Sequence, residues 1–135
     1  MAASIDFSGS WKLSRSENFE EYLNGMGVGI IMRKAATIMT PTCKIIQNGD
    51  EMEIKMCVPM TTLVQKFRIG EPFQDTSPSG EIKTMIAKWE DGKLVFNESE
   101  EKEVHHSVIR EIIDDEMVMT CIVGDITCKR IFKRI

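Results

Sequence analysis

The sequence predicts a mainly β protein built from about ten short antiparallel strands, with two helices near its start. Apolar residues alternate with polar ones in short runs after residue 41, as expected of half-buried strands. Turn signals rich in Gly, Asp, Asn and Ser separate these runs at roughly ten-residue intervals. Such a meander is typical of a β-sandwich or an up-and-down barrel, and a helix pair could cover one open end of a barrel.

The first strand and the first helix are predicted within the segment "DFSGSWKLSRSENFEEYLNG". Phe7, Trp11 and Leu13 fall on one face of an alternating run, which indicates a strand. The stretch "SENFEEYLNG" then favours a short helix with Ser16 as its N-cap and Gly25 at its end. Acidic residues in its early turns suit the helix dipole.

A second helix is predicted over about residues 27–38, because Met32, Ala35 and Met39 recur at helical spacing. Pro41 stops this helix, since proline cannot continue it. After it, the helical period disappears. The sequence Asn48-Gly49-Asp50 lies between two alternating runs and is a strong hairpin signal.

The size of the chain agrees with one domain over residues 1–135 that encloses a cavity. An eight-stranded barrel has an interior just filled by side chains or by one small ligand, and ten strands leave more room. We therefore expect a container for a small molecule. The sequence contains no phosphate loop, nucleophile elbow or zinc motif, so we do not expect an enzyme, a cofactor or a metal site.

Composition limits the partners and the compartment. The net charge of −4 argues against a nucleic-acid partner, and no apolar run is long enough to span a bilayer. The first residues carry neither a basic nor an apolar region typical of a secretory signal. We expect reduced cysteines in the cytosol, with the nucleus as a second compartment, and we expect Cys43, Cys57, Cys121 and Cys128 to be small buried hydrophobes.

The last strands raise the question of what their inward faces carry. Alternation groups Cys128, Arg130 and Phe132 on one face of the final strand. In "VHHSVIREII" one face carries His106 and Arg110, whereas the opposite face carries a carboxylate. Periodicity alone does not decide which face points inward. In the alternative arrangement, both arginines face outward and form weak ion pairs at the surface. Two interior arginines would favour a ligand with an apolar body and one carboxylate, because guanidinium binds carboxylates with two parallel hydrogen bonds.

Six segments, which together span essentially the whole chain, are distinctive: "FSGSWKLSRSENFEEYLNGMGVG", "RKAATIMTPT", "QNGDEMEIK", "KFRIGEPFQD", "IREIIDDEMVMT" and "CKRIFKRI". Together they resemble the cytosolic fatty-acid-binding and cellular retinoid-binding proteins, the intracellular lipid-binding family. The resemblance implies a ten-stranded antiparallel clam-like barrel capped by a helix-turn-helix, with an internal ligand cavity. It also implies a carrier for a long-chain fatty acid, with retinoic acid or a bile-acid-type ligand as the alternative.

The resemblance further implies the residues of the site. Arg110 and Arg130 match the interior arginines of family members that bind carboxylates, and Phe132 stands where tyrosine is common. Phenylalanine cannot donate a hydrogen bond, so one contact to a carboxylate is missing. The entry portal would lie between residues 28–38, the turn near Pro59 and Met60, and the turn of residues 77–80. The cavity and portal residues would be Phe19, Met32, Ala36, Met60, His106, Met119 and Cys121.

Three alternatives compete with a fatty-acid carrier. A secreted eight-stranded lipocalin shares the early G-x-W, but the helix pair argues against it. A catalytic or metal-binding pair of His105 and His106 is not expected, because neighbouring strand residues face opposite sides. A role at bilayer surfaces would need a basic helix face, and the first helix is acidic. We expect a monomer that makes brief contact with membranes or an acceptor protein.

Overall fold

The computed structural model describes residues 5–58, 61–99 and 106–135. Ten antiparallel strands form one sheet in the order β4-β3-β2-β1-β10-β9-β8-β7-β6-β5. The elements are β1 Gly9–Glu17, α1 Phe19–Gly25, α2 Ile30–Thr37, β2 Thr42–Asn48, β3 Glu51–Val58, β4 Thr61–Arg68, β5 Phe73–Thr76, β6 Ile82–Glu90, β7 Lys93–Glu98, β8 His106–Ile113, β9 Glu116–Val123 and β10 Ile126–Arg134. The up-and-down barrel and the helix pair are thus confirmed.

The sheet curls because the first strand also pairs with the last. β1 lies between β2 and β10, whereas β4 and β5 form the two outer strands of the sheet. The side chains of Gln65 on β4 and Asp75 on β5 join across this opening, with Gln65 Nε2 donating to Asp75 Oδ2 at 2.7 Å. The barrel is therefore nearly closed, with a side-chain contact where the backbone ladder stops.

The predicted start of the first helix is wrong. A bulge between Leu13 and Arg15 lets β1 continue along β10, so that Ser16 lies opposite Arg130 in the ladder. The residue that precedes α1 is Asn18, with a left-handed φ of 59°, and no side chain caps the helix. Pairing with β10 therefore overrides the capping preference of Ser16. The predicted end of this helix at Gly25 is confirmed.

The second helix is shorter than predicted. It begins at Ile30 rather than near residue 27 and ends at Thr37, four residues before Pro41. Ala36 is half-buried, whereas Ala35 is exposed, so the predicted stripe is wrong at Ala35, and Ala36 takes its place on the inner face. The hairpin prediction is confirmed, because β2 and β3 are joined by a turn at Gly49 and Asp50, where Gly49 has a positive φ of 61°.

The core lies along the inner wall of the sheet and under α1. Its largest fully buried side chains include Trp11, Phe7, Phe96 and Phe132. The indole Nε1 of Trp11 donates to the carbonyl oxygen of Phe7 at 2.9 Å, which satisfies the one polar atom of that ring. None of the helices in the described part of the chain is long and apolar enough to cross a membrane.

Three of the four cysteines are buried, as expected of small hydrophobic side chains. Cys57, however, is exposed, so the prediction is wrong for this residue. It follows Met56 on β3, and Met56 faces the interior, so alternation turns the Cys57 side chain outward. All four thiols are free.

Candidate functional site

A cavity of about 490 Å³ lies inside the barrel under the two helices. Volumes of roughly 300–1,000 Å³ are typical of sites for small organic ligands. Most lining side chains are apolar: Phe19, Tyr22, Leu23, Val28, Met32, Ala36, Met39, Met56, Leu63, Met85, Phe96, Val108 and Met119. The interior is thus suited to a hydrophobic molecule.

Two arginines enter this apolar space from neighbouring parts of the wall. Arg110 on β8 and Arg130 on β10 both line the cavity, and each is only 5% exposed. Both lie directly opposite Met119 of β9, one on each side of it. The inner face of β8 is therefore the one that carries His106 and Arg110, which settles the choice that periodicity left open.

The two guanidinium groups lie against aromatic rings. The Cζ atom of Arg130 lies 3.5 Å from the centre of the Phe19 ring, and that of Arg110 lies 5.1 Å from the centre of the Phe96 ring. Cation–π contacts of this kind stabilise a buried cation by attraction to the ring face. The contact of Arg130 with Phe19 joins β10 to α1, whereas the contact of Arg110 with Phe96 joins the neighbouring strands β8 and β7.

Neither arginine forms an ion pair or a hydrogen bond with a protein acceptor among residues 5–58, 61–99 and 106–135. The Nε atoms of Arg110 and Arg130 are buried without a hydrogen-bond partner. Burial lowers the pKa of Arg130, because desolvation disfavours the charged form. Buried donors left unsatisfied cost free energy, and a bound anion would remove that cost.

One carboxyl group also reaches the cavity. Asp75 lines it beside the opening between β4 and β5, and burial raises the pKa of this carboxyl. The hydrogen bond from Gln65 and the charge of Arg110 oppose that rise. The strand β5 has only four residues, which is too few for the sequence pattern to indicate that Asp75 faces inward.

A polar contact joins the helical cap to the barrel. The hydroxyl of Tyr22 on α1 lies 2.7 Å from Nε2 of His106 on β8, and both side chains are buried and line the cavity. Tyr22 is a lining residue that the sequence reasoning missed. It lies three residues after Phe19, so helical periodicity would have placed both on one face.

The structure brings six of the seven predicted cavity and portal residues together around one cavity. Phe19, Met32, Ala36, His106, Met119 and Cys121 all line the cavity. Val28 and the turn residues Ser77, Pro78 and Gly80 line it as well, so the described parts of the predicted portal come together. Met60 and His105 lie outside the described residues.

Phe132 lies in the core, whereas the two arginines lie in the cavity wall. It is fully buried, with neighbours Leu13 and Met117 on the adjacent strands, but it is not among the lining residues. Its ring fills the core just beyond Arg130 along β10. Met117 is likewise fully buried outside the lining, whereas Met56 and Met85 are lining methionines that the sequence reasoning did not name.

Comparison with known proteins agrees with this architecture. Residues 8–135 match the family model described as the lipocalin / cytosolic fatty-acid binding protein family. The chain is 30% identical to mouse fatty acid-binding protein 5, over 100% of this chain and 99% of that protein. It is 35% identical to mouse cellular retinoic acid-binding protein 2, over 96% of this chain and 98% of that protein.

A solved structure shows the same fold with a ligand. The Schistosoma mansoni fatty acid-binding protein in complex with arachidonic acid superimposes with a TM-score of 0.86. The two sequences are 29% identical over 96% of each chain. The family model covers nearly the whole sequence, and the fold and the internal cavity agree with it. The chain belongs to the lipocalin / cytosolic fatty-acid binding protein family.

Proposed function

We propose that this chain is a cytosolic carrier that binds a long-chain fatty acid in its cavity, with the carboxylate held by Arg110 and Arg130. The observation that carries the proposal is a pair of buried guanidinium groups with unsatisfied Nε atoms in an otherwise apolar cavity. A fatty acid supplies an acceptor for both groups and an apolar chain for the remaining wall. Charge-assisted bonds of this kind are about twice as strong as neutral ones.

The role follows from the chemistry of the ligand. A long-chain fatty acid is poorly soluble in water, and enclosing its chain removes apolar surface from water at about 25 cal/mol per Å². A single domain of 135 residues that encloses such a ligand would act by solubilising and transporting it rather than by transforming it. Relatives named as fatty acid-binding proteins support this role.

Retinoic acid is the second candidate ligand. The relative named cellular retinoic acid-binding protein 2 is 35% identical, which is higher than the 30% identity to fatty acid-binding protein 5. Retinoic acid also combines an apolar body with one carboxylate, so the same two arginines would hold it. A retinoid alcohol would leave the guanidinium groups without an anion.

Native mass spectrometry of the protein purified from its own cells tests the proposal. The lipid released on denaturation should be a fatty acid bound in near-stoichiometric amount, and retinoic acid would favour the second candidate. A neutral lipid or an alcohol as the dominant bound species would contradict both. A variant with Gln at positions 110 and 130 serves as the control, because it should carry far less acid.

A further inference from the structure

The outer wall of the barrel carries four lysines on four neighbouring strands, which we call the lysine band: Lys133 on β10, Lys12 on β1, Lys44 on β2 and Lys55 on β3. Lys12 lies directly opposite Lys133, and Lys44 lies directly opposite Lys55. The residue opposite Lys44 on β1 is Ser10, so Lys12 is the diagonal neighbour of Lys44. The four side chains thus form one continuous line across the strands.

This arrangement places like charges side by side. Like charges directly opposite each other in a sheet are destabilising. Only Lys55 has an acidic partner, because its Nζ lies 3.2 Å from Glu53. In the described ranges, Lys12, Lys44 and Lys133 form no ion pair, and Glu116, which lies opposite Lys133, contacts Arg15 instead at 3.6 Å.

The band stands out against the charge of the whole chain. The protein carries a net charge of −4, so chance would favour acidic neighbours for these lysines. Apolar side chains lie on the same outer face: Ile46 is 47% exposed two residues after Lys44, and Val64 is 50% exposed opposite Lys55. A positive line bordered by exposed apolar groups has the composition of a surface that contacts a partner.

We propose that the lysine band binds an extended acidic segment of a partner protein. Alternate side chains of an extended chain lie about 6.8 Å apart on one face. Neighbouring lysines of the band are separated by about 5 Å when opposite and by about 7–8 Å when diagonal. Alternating acidic residues can therefore meet successive ammonium groups, with the side chains between them free to contact Ile46 and Val64.

The curvature of the wall favours a polypeptide over a flat lipid surface. Closing ten strands into a barrel turns the wall by about 36° per strand, so four neighbouring strands span roughly 108°. A plane that touches Lys12 and Lys44 would leave the outer members of the band, Lys133 and Lys55, turned away from it. A flexible acidic segment can follow the curved wall and meet Lys133, Lys12 and Lys44, whereas Lys55 already has an ion pair with Glu53.

Fluorescence anisotropy of a labelled peptide of alternating Glu and Ser residues tests the proposal at about 20 mM salt, where surface charges are weakly screened. The peptide with Gln in place of Glu is the control ligand. The test variant Lys12→Gln/Lys44→Gln removes the centre of the band. The matched variant Lys88→Gln/Lys93→Gln removes two exposed charges from β6 and β7, on the opposite wall of the barrel. Both variants therefore have the same net charge.

We expect the band variant to bind the acidic peptide about tenfold more weakly, and the matched variant to stay within about twofold of the wild type. The band variant should also unfold at the same or a higher temperature, because it loses like-charge repulsion. Equal weakening in both variants, or no binding of the peptide by the wild type, would overturn the proposal. Binding to vesicles rich in phosphatidylserine without binding to the peptide would overturn it as well.

Discussion

The guanidinium of Arg130 lies against the ring of Phe19, with 3.5 Å between Cζ and the ring centre. This contact links the first helix to the last strand at the point where the proposed ligand head group binds. Phe19 thus covers the charge on one side while the cavity leaves the other side open. The helical cap and the proposed anion site are therefore parts of one unit.

A double-mutant cycle measures this contact. Phe19→Leu keeps an apolar side chain but removes the ring face, and Arg130→Gln removes the charge. We expect a coupling free energy of about 0.5–2 kcal/mol from urea unfolding of the four proteins. The pair Phe96 and Arg110, with its longer distance of 5.1 Å, should show a smaller coupling. Additive effects of the two substitutions would mean that the ring does not stabilise the charge.

The bond between Tyr22 and His106 predicts a specific loss of stability. Tyr22→Phe removes the hydroxyl and leaves Nε2 of a buried histidine without this partner. Such a loss typically costs about 1–3 kcal/mol. Urea denaturation should show this decrease, and hydrogen exchange should be faster in α1. Unchanged stability would show that the hydroxyl contributes nothing beyond what water provides.

Asp75 predicts a dependence of stability on pH. Burial raises the pKa of this carboxyl in the folded state above its usual value near 3.8. Between the usual pKa and the raised pKa, the folded protein therefore binds more protons than the unfolded chain. Stability should therefore fall as the pH rises through this window, and the loss is complete above the raised pKa. At lower pH, protonation of Asp75 removes this loss of stability.

The variant Asp75→Asn tests this contribution, because asparagine carries no charge and can still accept from Gln65. Its free energy of unfolding should exceed that of the wild type at pH 7, and the difference should shrink toward pH 4. Glu71→Gln, at an exposed residue, is the control that removes one carboxylate charge at the surface. A difference that grows as the pH falls would reverse the assigned sign.

Phe132 predicts a gain of binding. Phe132 does not line the cavity, but its ring lies on the same inward face of β10 as Arg130, so a tyrosine hydroxyl would extend that ring by one polar atom toward the barrel interior. We expect Phe132→Tyr to tighten fatty-acid binding by about 0.5–1.5 kcal/mol, the net value of one hydrogen bond, in a fluorescence displacement titration. The matching fatty alcohol is the control ligand and should gain less. A weaker affinity for the acid would mean that the hydroxyl does not reach the ligand.

The sequence allowed much of the fold to be predicted because turn chemistry and alternation agree along most of the chain. The inward face of β9, Met117 to Val123, and the hairpin at Gly49 followed directly from these local signals. The position of Ser16 did not, because the bulge between Leu13 and Arg15 extends β1 along β10, and long-range pairing decides the outcome there. Local capping preferences are too weak to compete with a ladder of backbone hydrogen bonds.

The site was less accessible to sequence reasoning than the fold. Either face of β8 would have placed a charged residue inside, so the inward orientation of Arg110 came from a resemblance and not from periodicity. Asp75 lies on a strand too short to show a pattern, and its neighbour Gln65 comes from a strand at the opposite edge of the sheet. Contacts across the opening of a barrel depend on closure, which no local signal encodes.

Carboxylate binding by Arg110 and Arg130 is tested most directly by isothermal titration of a long-chain fatty acid and the matching alcohol. The titrations use the wild type, Arg110→Gln, Arg130→Gln and the exposed control Arg15→Gln. The wild type and Arg15→Gln should prefer the acid, and each cavity variant should lose about 1.5–3 kcal/mol of affinity for the acid with little change for the alcohol. Equal affinity for the acid in all four proteins would contradict the account.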